Sequence, residues 1–351
     1  MSSDLNSPEL SVVIPSYNSA PWLPSTLDTL RTAIDRAAIS AEVIVVDDGS
    51  TDDTVEVLRG WHDDTVAPVR VLSQPNTGRF AARRVGLEAS SASIVMLLDS
   101  RVLIDANSLV RIWAEAQQGV RVWNAHIETD PDAPLVGRFW DVPTRLFWGD
   151  YLRRPRAMTL TSENFDTAPK GTTLLLAPRD VLSEAFRQAA PTVASPLVSD
   201  DTKILRWVAE NHGIQIDPRF TAVYRPRTTV TGFLRHARDR GTLFVDSYAG
   251  TTPARSAILV GLAAAPPAVF ALLVALVMKR KAPCALAVVA AGGLAAAAPA
   301  IVAAAQRAPR RAVLAYLTYI VPFAGPFWAG IVRGIVVHRS AFSPSSKEPT
   351  P

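Results

Sequence analysis

The sequence is poor in the residues that build disulfide and metal-bridged scaffolds. Its 351 residues include one cysteine, Cys284, and five histidines. A single thiol excludes a disulfide within the chain and a cysteine-based metal site. The first residues lack a basic start followed by an apolar core, so we expect no signal peptide. No stretch interleaves aromatic with basic residues, and the sequence therefore predicts no nucleic-acid partner.

Acidic residues are scarce towards the end of the chain. Residues 256–351 carry nine Lys or Arg and one acid, Glu348, whereas residues 1–255 carry 27 basic and 31 acidic residues. The basic residues stand at the ends of three apolar runs, as they do beside membrane spans. Each run is close to the ~20 residues that cross a ~30 Å hydrocarbon core. The runs cover residues 256–278, 283–305 and 312–337.

The membrane arrangement has several interpretations. If each run crosses once, the basic clusters at 279–281 and 307–311 lie on opposite sides of the membrane. Prolines at 266–267 and 322–326 favour instead a helix broken into a re-entrant hairpin. A buried, Ala-rich helical subdomain is the soluble alternative. We predict a cell-membrane protein, multi-pass or re-entrant, with embedded helices over 256–338 and a polar tail over 339–351.

Two β-branched runs near the start of the chain stop abruptly at turn-forming residues. They are VVIPSYN at 12–18 and VIVVDDGSTD at 43–52. Apolar residues at helical spacing lie between them, so the unit reads strand, helix, strand. Strands buried on both faces are typical of a parallel sheet, and ligands bind such sheets beyond the carboxyl ends of the strands. Both polar clusters fall at that edge.

The same patterns predict further elements along the chain. Residues 120–195 are expected to be irregular, 199–213 to form a helix, and 230–250 to be a basic amphipathic stretch. The remaining predictions are strands at 10–15, 43–47, 69–73 and 94–98, and helices within 21–38 and at 79–89 and 108–118.

Taken with later motifs, these runs resemble the family 2 glycosyltransferases. The resemblance continues through QPNTGR at 74–79, ARRVGL at 82–87 and IVMLLDSR at 94–101, and it weakens after about residue 110. It implies an α/β nucleotide-diphospho-sugar transferase (GT-A) fold with a mostly parallel central sheet, followed by C-terminal transmembrane or re-entrant helices. The implied domain covers 10–250, with the nucleotide-binding half at 10–105 and the acceptor half at 106–250, after a disordered 1–9.

The resemblance also implies an activity. It is that of an inverting glycosyltransferase, which moves a sugar from a nucleotide-diphosphate donor, expected to be UDP-linked, to a hydroxyl or phosphate of a lipid-linked or cell-envelope glycan acceptor. The implied partners are a nucleotide-diphosphate sugar and a membrane lipid or lipid-linked acceptor, with the catalytic domain in the cytoplasm. The alternative is a catalytically impaired, nucleotide-sugar-binding scaffold protein of the membrane.

Residues at the first two strand ends are the implied donor contacts. Asp48 is expected to accept a hydrogen bond from the base, and a turn that closes the strand is its alternative. Asp47 suits that turn better. Pro15 and Tyr17 lie where the family places contacts to the nucleobase, with ordinary turn chemistry as the alternative. Arg79 is expected to reach the base or the phosphates.

Arginines beyond Arg79 have a different expected role. Arg83 and Arg84 follow it by about one helical turn. We expect both side chains on the solvated face of that helix.

The Asp99-Ser100-Arg101 segment departs from the family pattern. The family has Asp-x-Asp here, and its acids contact the ribose and a divalent cation, Mg²⁺ or Mn²⁺, that bridges the phosphates. In this chain Arg101 replaces the second acid, and arginine binds phosphate oxygens bidentately. Three interpretations stay open: a metal ion held through Asp99 alone, Arg101 in place of the metal's charge, or loss of catalysis. A solvent-facing Arg101 is the alternative without function.

An acidic pair and three basic residues complete the implied site. Asp200 and Asp201 precede a predicted helix and resemble the family's acidic pair, so Asp201 is the expected catalytic base. Helix N-capping is the alternative. Lys170, His236 and Arg238 are implied contacts to the acceptor or the diphosphate. The segment around the last two lacks the Trp of processive relatives, which argues against a polymer synthase, and lipid headgroups are its alternative partner.

Overall fold

A computed structural model describes residues 7–61, 66, 68–118, 122–191, 197–199 and 201–342. These residues form one sheet of nine strands, together with eleven α-helices. The strands are β1 (Leu10–Ser16), β2 (Ala41–Asp47), β3 (Val69–Ser73), β4 (Ile94–Leu98), β5 (Val102–Ile104), β6 (Val122–Thr129), β7 (Met158–Leu160), β8 (Leu174–Pro178) and β9 (Ile214–Tyr224). The helices are α1 (Leu23–Ala37), α2 (Thr54–Arg59), α3 (Arg79–Glu88), α4 (Ser108–Gln118), α5 (Asp141–Arg153), α6 (Arg179–Gln188), α7 (Thr202–Asn211), α8 (Val230–Tyr248), α9 (Pro253–Met278), α10 (Ala282–Ala305) and α11 (Arg310–Val337).

The chain divides into two compact units. The first comprises residues 1–133 and 147–226, and the second comprises residues 134–146 and 227–351. All nine described strands belong to the first unit, and α8 to α11 belong to the second. The domain boundaries at 9, 250 and 338 stay predictions.

The sheet is mixed and has the order β3-β2-β1-β4-β8-β6-β9-β5, with β7 paired to β9. β3, β2, β1 and β4 run parallel, and β8 then joins β4 antiparallel. The parallel strands are buried because helices cover both faces. In β2, Val43 and Val45 pack into the cluster that contains α1, whereas Ile44 and Val46 pack against α3. This two-sided burial is the reason for the unbroken apolar run.

Most of the predicted elements of the first unit are confirmed. The four predicted strands match β1 to β4, and the predicted helices match α1, α3, α4 and α7, within about three residues. The expectation that residues 120–195 are irregular is wrong, because this stretch contains β6, α5, β7, β8 and α6. Strand β6 was hidden by its polar residues Asn124 and His126, which are nevertheless buried in the sheet.

Three helices of the second unit, α9, α10 and α11, are long and apolar enough to cross a membrane, by length and composition. Their bounds agree closely with the predicted runs. Helix α9 buries only Leu259, and α10 buries only Ala300 and Ala303. Prolines lie inside α9 and α11 without interrupting either helix, so the alternative of a helix broken at these prolines is wrong. The number of membrane crossings stays a prediction.

Helix α8 lies against α11 and runs in the same direction. Phe233 packs on Phe323 near the start of the contact, with ring centroids 5.9 Å apart, and Gly241 meets Gly330 further along. A Cβ atom on Gly330 would overlap the carbonyl oxygen of Arg238. The backbones of the two helices therefore approach at a distance that only glycine permits.

Candidate functional site

The carboxyl ends of β1 and β2 meet at one edge of the sheet, where Ser16 lies opposite Asp47. Asp47 Oδ1 accepts the Ser50 N–H at 3.2 Å, which is the turn expected of this acid. The Ser16 hydroxyl is buried and has no hydrogen-bond partner among the described residues. At this edge the Asp47 carboxylate already accepts a hydrogen bond, whereas the Ser16 hydroxyl is available to donate one.

The Asp48 carboxylate organises the loop that leads into α3. Its Oδ1 accepts from Gln74 Nε2 at 2.7 Å and from the Thr77 N–H at 2.9 Å. Its Oδ2 accepts from the Gly78 N–H at 2.8 Å. Asp48 is buried, and its observed partners are Gln74, Thr77 and Gly78. These hydrogen bonds fix the start of α3. Contact between Asp48 and a base stays a prediction.

The other implied donor contacts differ in how accessible they are. Pro15 is buried within β1, whereas Tyr17, just beyond the strand, is 49% exposed. Arg79 is exposed at the first position of α3. Tyr17 and Arg79 are therefore accessible to a ligand, while Pro15 contributes through packing. Their contacts with a nucleotide stay predictions.

Arg83 is fully buried, so its expected place on a solvated helix face is wrong. Its Nη2 donates to Asp99 Oδ1 at 2.5 Å and to the Thr172 carbonyl oxygen at 3.4 Å. Burial lowers the pKa of Arg83, and the Asp99 carboxylate opposes this by raising it. A guanidinium at this depth requires a carboxylate partner, so Asp99 has a structural role. Arg84 is exposed and pairs with Glu88 at 3.6 Å, as expected.

Arg101 is folded onto the protein, so the alternative in which it faces solvent is wrong. Its guanidinium lies 4.2 Å from the centroid of the Trp22 ring, a cation–π distance. Its Nη1 donates to the carbonyl oxygens of Arg225 at 3.4 Å and Pro226 at 3.2 Å. These contacts hold the chain between β4 and β5 against the end of β9. Binding of a diphosphate by Arg101 stays a prediction.

The described residues do not by themselves fit the implied Mg²⁺ or Mn²⁺. The Asp99 carboxylate is engaged by Arg83, and Arg101 occupies the place of the second acid. In the part of the chain that the structure describes, no three His, Cys, Asp or Glu side chains are placed to hold a metal ion. Hard divalent cations take about six or more oxygen ligands, and here the protein offers at most one carboxylate at the predicted position.

A second cluster is built around the ring of Phe165. Lys170 Nζ lies 4.0 Å and Arg206 Cζ lies 4.6 Å from the ring centroid. The Lys170 side chain is 8% exposed and lies 3.9 Å from an Asp166 carboxylate oxygen. Burial lowers the pKa of Lys170 to about 8, with Asp166 and Asp201 raising it and Arg206 lowering it. Two cations and the candidate base thus share one neighbourhood.

Asp201 is the N-cap of α7. Its Oδ1 accepts from the Thr202 N–H at 2.5 Å and from Ser199 Oγ at 3.0 Å. The capping role is therefore confirmed. A role as catalytic base is compatible with this geometry and stays a prediction. Asp200, its expected partner, lies outside the described residues.

The sequence predictions missed three residues in and beside the cluster around Phe165. They are Asn124, Phe165 and Arg206. Asn124 of β6 fixes the loop that carries Lys170, because its Nδ2 donates to the Gly171 carbonyl oxygen at 2.5 Å and its Oδ1 accepts the Gly171 N–H at 3.3 Å. A polar residue buried in an otherwise apolar strand was the available signal.

His236 and Arg238 lie on α8, in the second compact unit. His236 is half-buried and Arg238 is exposed. Their contact with an acceptor or a diphosphate stays a prediction.

The first part of the chain is similar to one known family. Residues 11–145 match the model of Glycosyl transferase family 2. An undecaprenyl-phosphate 4-deoxy-4-formamido-L-arabinose transferase of Pseudomonas savastanoi pv. phaseolicola is 33% identical over 114 residues, which is 32% of this chain and 34% of that protein. Its counterpart from Aeromonas hydrophila subsp. hydrophila is 35% identical over 118 residues, 32% of this chain and 35% of that protein. The match thus spans about a third of these relatives.

A solved structure shares the fold over most of the chain. The mannosyltransferase PcManGT of Pyrobaculum calidifontis, in complex with GDP-Man and Mn²⁺, matches with a TM-score of 0.59 at 19% identity. The match covers 94% of this chain and 88% of that one. The expected GT-A fold is therefore confirmed.

Proposed function

We propose, from the match of residues 11–145 to the model of Glycosyl transferase family 2, that this protein is an inverting glycosyltransferase. It moves a sugar from a nucleotide-diphosphate donor, expected to be UDP-linked, to the phosphate of a membrane-held polyprenyl lipid. The observation that carries the choice of acceptor is the pair of cations, Lys170 and Arg206, beside Asp201. The names of the undecaprenyl-phosphate relatives and the three apolar helices support it.

A phosphate acceptor requires positive charge more than it requires a base. The second pKa of a phosphate monoester is about 6, so the oxygen nucleophile is already deprotonated at neutral pH. Arg206 suits bidentate contact with such a group, and Lys170 supplies a compact charge. The Phe165 face holds both cations in place. The cluster therefore matches the charge of a lipid phosphate.

The reaction follows from these positions. An acceptor phosphate oxygen attacks the anomeric carbon as the bond from that carbon to the diphosphate oxygen breaks, which inverts the configuration and releases the nucleoside diphosphate. Negative charge builds on the leaving group and is stabilised by nearby cations, for which Arg79 and Arg101 are the candidates. No proton is transferred from the acceptor in this case.

A hydroxyl acceptor is the second candidate, and Asp201 favours it. A hydroxyl must lose its proton to a base during attack, and a carboxylate stands beside the cation pair. Asp201 would accept that proton and release it to water after transfer. The two candidates therefore assign different importance to Asp201.

The test uses the full-length protein in lipid nanodiscs with UDP- and GDP-sugars. Polyprenyl phosphate and polyprenol are offered as separate acceptors, and release of nucleoside diphosphate and formation of glycolipid are measured. We expect product with the phosphate, and we expect Asp201→Asn to retain turnover within about ten-fold. Loss of a general base would instead cost about 10²–10⁴-fold. The Arg84→Met variant is the control for substitution at an exposed position.

Each other outcome has a definite meaning. Product from polyprenol alone, abolished in Asp201→Asn, would replace the phosphate acceptor by the hydroxyl acceptor. Binding of nucleoside diphosphate with no product from any donor and acceptor pair would support the scaffold alternative. Lys170→Met is expected to raise the KM for polyprenyl phosphate by about ten-fold or more, since a charge-assisted hydrogen bond contributes about 1.5–3 kcal/mol.

A further inference from the structure

We infer that α11 lies along the membrane surface beside α8, and that α9 and α10 alone form the membrane-crossing hairpin. The partner of the outward surface of α8 and α11 is then the headgroup layer of an anionic bilayer. This arrangement is independent of the reaction that the first unit catalyses. Length and composition make all three helices candidate membrane spans, whereas this arrangement assigns a different position to α11.

The first observation is that nearly the whole of α8 lies along the C-terminal half of α11. Phe233 lies against Phe323 near the start of α8, and near its end the Asp246 carboxylate lies 3.4 Å from His338 Nδ1. Val245 packs against Gly334 between these points. Whatever depth α11 has in the membrane, α8 therefore shares it.

The second observation is the charge on α8. Arg235, Arg238 and Arg240 are exposed, and the Arg238 backbone adjoins Gly330. Gly330 is about 10 Å from the midpoint of α11 at ~1.5 Å per residue. A bilayer centred on α11 would thus hold Arg238 within its ~15 Å half-thickness of hydrocarbon, and Arg235 deeper still. Charged side chains there are costly, whereas at the surface arginines attract anionic headgroups.

The third observation is how α9 and α10 meet α11. Trp328 Nε1 donates to the Ala263 carbonyl oxygen at 2.9 Å, and no residue of α9 beyond this point is buried. In α10, only Ala300 and Ala303 are buried, in the cluster that contains Tyr316. The two helices thus contact α11 through buried residues near one end each. The stretches without buried residues are roughly 15–18 residues long, or about 22–27 Å, close to the hydrocarbon thickness.

The fourth observation is the outward face of α11. Its opposite face is buried, and the outward positions recur at helical spacing. A helix at the membrane surface buries such an apolar face about 5–10 Å into the headgroup and acyl boundary. The large apolar side chains exposed on α11 are Leu314, Leu317, Val321, Val332 and Val336.

The test maps the two ends of α11 in the full chain. The single native cysteine is replaced by Cys284→Ser, and Arg311→Cys and Arg339→Cys are made separately in that background. A membrane-impermeant maleimide is applied to right-side-out cells and to inverted vesicles, with detergent-solubilised protein as the measure of full labelling. We expect both cysteines to be labelled in the same preparation. A third crossing by α11 would place them on opposite sides, and that result would overturn the inference.

Native Cys284, in the first turn of α10, tests the hairpin. We expect it to be labelled only in the preparation in which Arg311→Cys is protected. Labelling of both in the same preparation would show that α9 and α10 do not cross, and would overturn that part of the inference.

The lipid partner is tested by thermal unfolding of the full chain in vesicles. Neutral phosphatidylcholine is compared with phosphatidylcholine containing phosphatidylglycerol. We expect the anionic lipid to raise the unfolding temperature of the parent and to have a smaller effect on Arg235→Gln combined with Arg238→Gln. Arg84→Gln, on a helix of the first unit, is the matched control. An equal response of the parent and the double variant would exclude an anionic surface as the partner of α8.

Discussion

Removing the carboxylate from the Arg83–Asp99 pair is the sharpest test of whether this buried ion pair stabilises the protein at the candidate site. In Asp99→Asn the Arg83 guanidinium, with 1% of its side chain exposed, loses the Asp99 carboxylate. Breaking a buried ion pair costs about 3–5 kcal/mol. Asp99 is itself 16% exposed, so we expect the lower end, about 3 kcal/mol. At about 2–4 °C per kcal/mol for a domain of 150–250 residues, the unfolding temperature falls by about 6–12 °C.

The assay is thermal unfolding of full-length protein in detergent, followed by tryptophan fluorescence. Arg83→Met combined with Asp99→Asn leaves no uncompensated buried charge and is expected to recover most of the loss. The control is Arg84→Met, because the exposed pair of Arg84 with Glu88 contributes less than about 0.5 kcal/mol. If Asp99→Asn and the double variant unfold at the same temperature, the buried Arg83 charge without the Asp99 carboxylate is not the cause and the reasoning is wrong.

Raising the pH through about 8 neutralises Lys170, so the KM for a phosphate acceptor should rise there in a steady-state pH profile, and Lys170→Arg should move that rise to higher pH. The folding free energy should instead become more favourable between pH about 8 and pH 10.5, the ordinary pKa of lysine, because only the unfolded chain then keeps the Lys170 proton. A fall in the denaturant midpoint of unfolding over this pH range would contradict the prediction. Gly330→Ala should destabilise the full chain by about 1–3 kcal/mol through overlap with the Arg238 carbonyl oxygen, whereas Gly292→Ala, which meets open space, should not destabilise; equal unfolding temperatures would show that the helix pair relaxes. Arg101→Ala should weaken nucleoside diphosphate binding about ten-fold or more by calorimetry, with and without chelator, if its guanidinium reaches the diphosphate; unchanged affinity would leave Arg101 as a structural contact.

Burial on both faces explains why the first four strands were predictable. Val43 and Ile44 pack on opposite faces of β2, and each must be apolar, so the sequence shows an unbroken run. β6 has the same burial, but Asn124 serves the loop at Gly171 rather than the core. A buried polar residue that holds a loop therefore interrupted the pattern and concealed the strand.

Arg83 shows how residue type can mislead where position is informative. It follows Phe80 by three residues and precedes Leu87 by four, and all three are buried on one face of α3. The spacing placed Arg83 in the core, while its charge suggested solvent. The partner that makes burial tolerable, Asp99, is distant in sequence, so the pair became visible only in the folded chain. The packing of α11 was likewise hidden in the sequence, because its composition does not reveal that α8 lies beside it.

The parallel pairing of α8 with α11 has a consequence for biosynthesis. Gly241 leaves the ribosome about 90 residues before Gly330, and at ~5–20 residues per second this is a delay of roughly 5–20 s. During that interval α9 and α10 are translated, and the surface of α8 that packs on α11 is not yet covered by it. Helix α11 thus completes an interface that α8 opened, and a nascent chain halted after α10 would present that face to chaperones and proteases.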